Sequence, residues 1–228
     1  MKTKQIKAAA REQLLGKYGA VISAILLMQM AELVLLSVIS SAVAVDALIG
    51  RIIYIVATIL VSIFMGVFVA GRTYIFLKIY SNEQLMPGDI FHGFSEQTNK
   101  ALVIQAILVA SQEIMLIPYR FSTMLTGSAK FIVYAVIAVL CVGCIWVNVT
   151  FFVSFYMMYD FPELTIKELL VKSMQVTKGK KLRIVYVLLS FIPLYVLGIL
   201  SFGIAFFWII PYREATKTNL YIELVKEC

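Results

Sequence analysis

One histidine and three cysteines among 228 residues leave little material for a metal centre or a disulfide framework. His92 stands alone, with no Cys, Asp or Glu grouped around it at ligand spacing, so no metal site is expected. Cys141 and Cys144 have CxxC spacing, but they lie in an apolar run with no second CxxC and no histidine nearby. They read as small, soft packing residues, and Cys228 lacks the prenylation pattern. A GxSxG elbow, an HExxH pair and a phosphate-binding loop are also missing. The common hydrolytic and nucleotide-dependent chemistries therefore lack their parts. No enzyme activity and no cofactor are expected, and any ATP dependence would come from a partner. An intramembrane enzyme would have to draw on Glu32 with Asp160, which fall on different apolar runs.

What the chain has is hydrophobicity: 61% of its residues are hydrophobic, a balance foreign to soluble domains. Long apolar stretches recur from Tyr18 to Val45, Ile52 to Leu77, Ala101 to Ile117, Phe131 to Tyr159 and Ile184 to Pro211. A bilayer crossing takes roughly 20 apolar residues. Backbone groups in lipid must pair internally, and continuous runs without strict alternation exclude a closed barrel, so the spans are expected to be helices. The first run has basic residues before it and Ala42-Val43-Ala44 after it, as a signal peptide does. It outlasts the roughly 7 to 15 residues of a signal core and carries Glu32, so it reads as a span.

The net charge of +7 does not point to nucleic acid, because Lys and Arg gather beside the spans and not along one soluble face. Lys2, Lys4, Lys7, Arg11 and Lys17 precede the first span; Lys178, Lys180, Lys181 and Arg183 precede the fifth. The positive-inside rule makes both segments cytoplasmic, with the N terminus inside a cell membrane. The turns near Asp46 and between Arg120 and Lys130 are poor in basic residues and fall outside.

Three short segments between spans read as amphipathic interfacial helices. In the first, Ile6, Ala10, Leu14 and Tyr18 share one face, with Lys7, Arg11 and Lys17 elsewhere, the pattern of a helix lying among headgroups. The second is MPGDIFHGFSEQTNK, where Asp89 can cap a turn carrying Ile90, Phe91 and Phe94. The third follows Asp160; Pro162 suits its first turn, and Leu164, Leu169, Leu170 and Met174 form its apolar face. Each precedes a long apolar run. The expected fold is an all-α, polytopic transmembrane bundle of about six spans: three hairpins, each preceded by an amphipathic helix. It forms a single domain over 1–228, with units at about 1–80, 81–160 and 161–228. Residues 184–211 could be one tilted helix or two helices broken at LGILSFG. Gly198, Ser201 and Gly203 favour the break, which returns the C terminus to the cytoplasm.

The stretch YDFPELTIKELLVKSMQVTKGKKLRIVYVLLSFIP, followed by LGILSFGIAFFWIIPY and TNLYIEL, resembles the signature of the bacterial integral membrane family called domain of unknown function 975. GRTYIFLKIYSNEQLMPGDIFHGF is similar to its middle section, and IKAAAREQLLGKYGAVI to its start. The resemblance implies about six helices in the cytoplasmic membrane of Gram-positive bacteria. It also implies a distant similarity to the membrane domain of some glycerophosphodiester phosphodiesterases. The family often has Pro-Gly in the helix before Asp-x-Pro, whereas Val142-Gly143-Cys144 has no proline. No catalytic residues come with the family.

Polar residues at membrane depth are the functional candidates. Gln29 and Glu32 share a face of the first span; Arg72, Gln105, Gln112, Glu113 and Asn148 lie on others. Two readings stand side by side: a polar cavity for a headgroup, proton or peptide, or one interhelical hydrogen-bond knot that fixes packing. Ile-Pro-Tyr-Arg occurs twice, giving Tyr119 with Arg120 and Tyr212 with Arg213. With Lys178, Lys180, Lys181 and Arg183, these are the residues expected to meet the lipid interface. The expected function is a non-enzymatic membrane protein that binds or helps move a lipid or amphipathic peptide through a cavity lined by Glu32 and its neighbours. The alternative is an accessory or immunity subunit that binds another membrane protein through small residues such as Gly66, Ala70 and Gly71.

Overall fold

Five helices are long and apolar enough to cross a membrane: Tyr18–Ala42, Ile49–Tyr80, Thr98–Tyr119, Phe131–Asp160 and Lys181–Leu200. They belong to a computed structural model that describes residues 3–44, 48–95, 97–122 and 129–227, and every regular element among these is helical. The chain is a multi-pass, all-α membrane protein. In order come α1 (Thr3–Leu14), α2 (Tyr18–Ala42), α3 (Leu48–Phe64), α4 (Gly66–Tyr80), a 3-10 helix (Pro87–Phe94) and α5 (Thr98–Ser122). Then follow α6 (Ala129–Phe151), α7 (Ser154–Asp160), α8 (Ile166–Thr177), α9 (Lys181–Leu189), α10 (Ile192–Leu200) and α11 (Phe206–Lys226). The turns expected near Asp46 and after Ser122 fall on residues outside this description.

The break in the last apolar run is present. α10 ends at Leu200, Gly203 takes φ +91°, and its N–H returns to the Gly198 carbonyl at 2.9 Å. A positive φ is costly for most side chains and easy for glycine, so LGILSFG turns the chain back into α11. α11 differs from the other long helices. From Arg213 onward it is too polar to count among the crossing helices, yet Glu214, Thr216, Thr218, Asn219 and Glu223 on it are buried. It packs on α1, α2, α4, α8 and α10, which makes it the centre of the bundle. Its hydroxyls solve their own burial problem: Thr216 donates to the Tyr212 carbonyl at 2.8 Å and Thr218 to that of Glu214 at 3.1 Å.

The face of α1 expected among headgroups lies against protein instead. Ile6, Ala10 and Leu14 are buried on α11. Lys7 donates to the Ser190 carbonyl at 3.0 Å with its ammonium 4.2 Å from the Phe191 ring centre, and Arg11 covers Tyr212. The 3-10 helix lies backbone to backbone on α4: a Cβ at Gly71 would overlap the Ile90 carbonyl, and one at Gly93 that of Val67. Asp89 caps it as expected, accepting from Met86 N–H at 2.8 Å and from Lys78 at 2.9 Å. α8 departs from expectation. It starts at Ile166 behind an N-cap Thr165 paired with Glu168, and Leu169, Ser173, Val176 and Thr177 form its buried face while Met174 is exposed. The capping box outcompetes Pro162 as the start because it satisfies two amide donors that would otherwise go unpaired.

Candidate functional site

Arg72 sits on α4 eight residues before Tyr80, about 12 Å along the helix from that end. Among the described residues only α11 brings it a countercharge. Glu214 lies 3.9 Å from the Arg72 guanidinium, within ion-pair range but too far for a hydrogen bond. The Glu214 carboxylate is itself 5% exposed and is met at its other oxygen by Arg213 (2.7 and 2.9 Å) and Lys217 (3.0 Å). Arg213 also donates to the Tyr195 hydroxyl at 2.6 Å. Two N–H groups of Arg213 on one oxygen are a strong, charge-assisted contact, so Arg213 and Glu214 largely cancel.

Beside this cluster α4, α5, α6, α7 and α11 line an open-sided cavity of about 230 Å³. Its polar lining comes from Arg72, Gln105, Gln112, Asn148, Glu214 and Lys217, with Tyr156 alongside. Gln105 donates to the Ser62 carbonyl at 3.3 Å, and Asn148 spends its amide on the Cys144 carbonyl at 2.9 Å. Arg72 has no such outlet. Its side chain is 18% exposed and makes no hydrogen bond among the described residues. Tyr156 reaches Thr218 at 3.4 Å and stacks on Tyr221, whose hydroxyl donates to Asp160.

Of the polar candidates read from sequence, Arg72, Gln105 and Asn148 thus converge, together with Gln112. Glu32 and Gln29 do not. Glu32 is half-buried on α2 without a hydrogen bond or ion pair among the described residues. Gln29 edges an apolar groove of about 300 Å³ between α2 and α11, beside Phe206 and Phe207. Glu113 is half-buried on α5 outside the cavity lining, and Asp160 is engaged by Tyr221. Glu214 and Lys217 are the residues sequence reading missed. Arg213-Glu214 with Lys217 one turn on was the available signal, an i,i+3 pair on the helix that follows the break.

The two Ile-Pro-Tyr-Arg copies part company. Tyr119 is 56% exposed, whereas Tyr212 is 5% exposed in the core and Arg213 holds Glu214, so the second copy is interior rather than interfacial. The Arg120 side chain lies outside the described residues. Lys180 and Arg183 bind the end of α11, through Glu227 (3.3 Å) and through Glu223 (2.7 Å) with Glu227 (2.9 Å) respectively. Lys178 is exposed, and Lys181 lies over Trp146 at 4.0 Å. Cys141 and Cys144 are free thiols, and Cys144 faces Ser111 at 3.8 Å. His92 stacks on Tyr74 with ring centres 3.7 Å apart, and no group of metal-binding side chains occurs among the described residues.

No curated protein and no solved structure matches the chain. A family model described as a protein of unknown function (DUF975) matches it over residues 1–227, and the chain belongs to that family.

Proposed function

We propose that this protein is a non-enzymatic protein of the cell membrane that binds, or helps move, a lipid held by its anionic headgroup in the cavity between α4, α5 and α11. The observation that carries the reading is Arg72. Its one described countercharge, Glu214, stands at 3.9 Å and is shared with two other cations, so the guanidinium of a membrane span keeps hydrogen-bond donors for a further anionic group. Lys217 faces the same space, and the amides of Gln105 and Gln112 line it. At about 230 Å³ the cavity is below the roughly 300 Å³ at which sites for drug-sized ligands begin, which favours a headgroup over a peptide. The reading keeps the N terminus cytoplasmic, with the basic segments of α1 and Lys178 to Arg183 toward the anionic inner leaflet.

The accessory-subunit alternative loses its proposed contact face. Ala70 is buried, and Cβ atoms at Gly66 and Gly71 would collide with Gln105 and Ile90 of the same chain. The test is native mass spectrometry of the gently purified protein, with identification of whatever stays bound. A co-purifying anionic lipid that is lost in Arg72→Gln supports the proposal. Lipid retention indifferent to Arg72→Gln, or a stoichiometric protein partner in its place, overturns it.

A further inference from the structure

We infer that the ligand recognised in this cavity is a phosphate monoester carrying two negative charges, in preference to a phosphodiester carrying one. The inference rests on the headgroup reading above and adds the charge class of the headgroup. Arg213 neutralises Glu214 from the side away from the cavity, where it also holds Tyr195. Lys217 at 3.0 Å and Arg72 at 3.9 Å share that same carboxylate, so three cations meet one anion and the two that face the cavity carry a surplus of two positive charges for the cluster. Among the described residues no second carboxylate lines the space: α5 and α6 contribute amides and apolar groups, and α7 contributes Phe155 and Tyr156.

A surplus of two positive charges in a low-dielectric wall is best matched by a dianion. A monoanionic diester leaves one cation uncompensated, and a zwitterionic headgroup brings a cation of its own toward two more. Arg72 offers a planar fork of donors for two phosphate oxygens, and Lys217 supplies a point charge for a third. A monoester presents three terminal oxygens, whereas a diester presents two.

Phosphatidic acid and inorganic phosphate share this chemistry and differ in source, so the experiment includes both. Full-length protein in nanodiscs is titrated with phosphatidic acid, phosphatidylglycerol and phosphatidylcholine of identical chains, and separately with inorganic phosphate, at pH 7.5 and pH 5. Phosphatidic acid should be held about tenfold or more tightly than phosphatidylglycerol at pH 7.5. The preference should shrink at pH 5, where the monoester has lost its second charge, its pKa being about 6. Lys217→Gln should abolish the preference and Lys217→Arg keep it, which separates charge from folding.

Binding of inorganic phosphate alone, sensitive to Lys217→Gln, supports the dianion inference while removing the lipid as its source. Equal affinity for phosphatidic acid and phosphatidylglycerol, both weakened by Arg72→Gln, overturns the inference and leaves the headgroup reading standing. Binding of any of these that ignores both substitutions overturns the two together.

Discussion

Replacing Glu214 with Gln removes the one carboxylate that holds three cations together. In the native protein Arg213 and Lys217 sit 2.7 and 3.0 Å from the same Glu214 oxygen, Arg72 lies 3.9 Å from the other, and the carboxylate is 5% exposed. Removing one partner of a buried ion pair costs about 3–5 kcal/mol, mostly because the partner charges stay behind uncompensated. For a chain of this size each kcal/mol moves the melting temperature by about 2–4 °C, so Glu214→Gln should melt about 6–20 °C below wild type in detergent. The double variant Glu214→Gln with Arg72→Gln should lose less than the sum of its single changes, since one stranded cation has gone. Inorganic phosphate should raise the melting temperature of Glu214→Gln more than that of wild type, by substituting for the lost anion. A single-variant shift under about 2 °C, or strict additivity in the double variant, would refute the claim that the cluster is one electrostatic unit.

Gly71→Ala forces a Cβ into the Ile90 carbonyl, a backbone atom that cannot swing away. It should cost about 3 kcal/mol, read as a lowered melting temperature and faster proteolysis between Leu85 and Ser95, whereas Gly143→Ala, with open space around it, should be neutral or mildly stabilising. Glu168 accepts from the Thr165 backbone N–H and hydroxyl, and these bonds hold its carboxyl below the usual carboxylate range. Its contribution is therefore complete above the ordinary value of about 4.3 and disappears as pH falls through the lowered one. The gap in melting temperature between wild type and Glu168→Ala should be widest at neutral pH and close in strong acid; an unchanged gap would remove the cap from the account.

The spans were legible because length and hydropathy are local properties, and the break at Gly198 to Gly203 was legible because glycine is. The site was legible only in part. Arg72, Gln105 and Asn148 stood out as polar residues in apolar runs, which any sufficiently long window exposes. Glu32 stood out for the same reason, yet which spans surround a residue is set by long-range packing that no window contains. Glu214 and Lys217 were hidden by the opposite effect. In a segment rich in charge a carboxylate looks solvated, and its burial follows from α1, α4 and α8 closing around α11. The second Ile-Pro-Tyr-Arg misled likewise, since identical letters at Tyr119 and Tyr212 meet different neighbours.

The docking of α1 on α11 also has a consequence in time. Leu14 and Phe206 are separated by 192 positions in the chain, read directly from their numbers. At about 5–20 residues per second a ribosome makes α1 roughly 10–40 s before it begins α11. Through that interval Ile6, Ala10 and Leu14 lack α11, the helix they meet most extensively, and have only earlier elements such as α4 beside them. An amphipathic helix with a basic polar face is suited to lie at a membrane surface until Phe191, and after it Tyr212 of α11, are made. The amphipathic pattern of α1 therefore has two settings to suit, the time before α11 exists and the finished bundle in which α11 covers it.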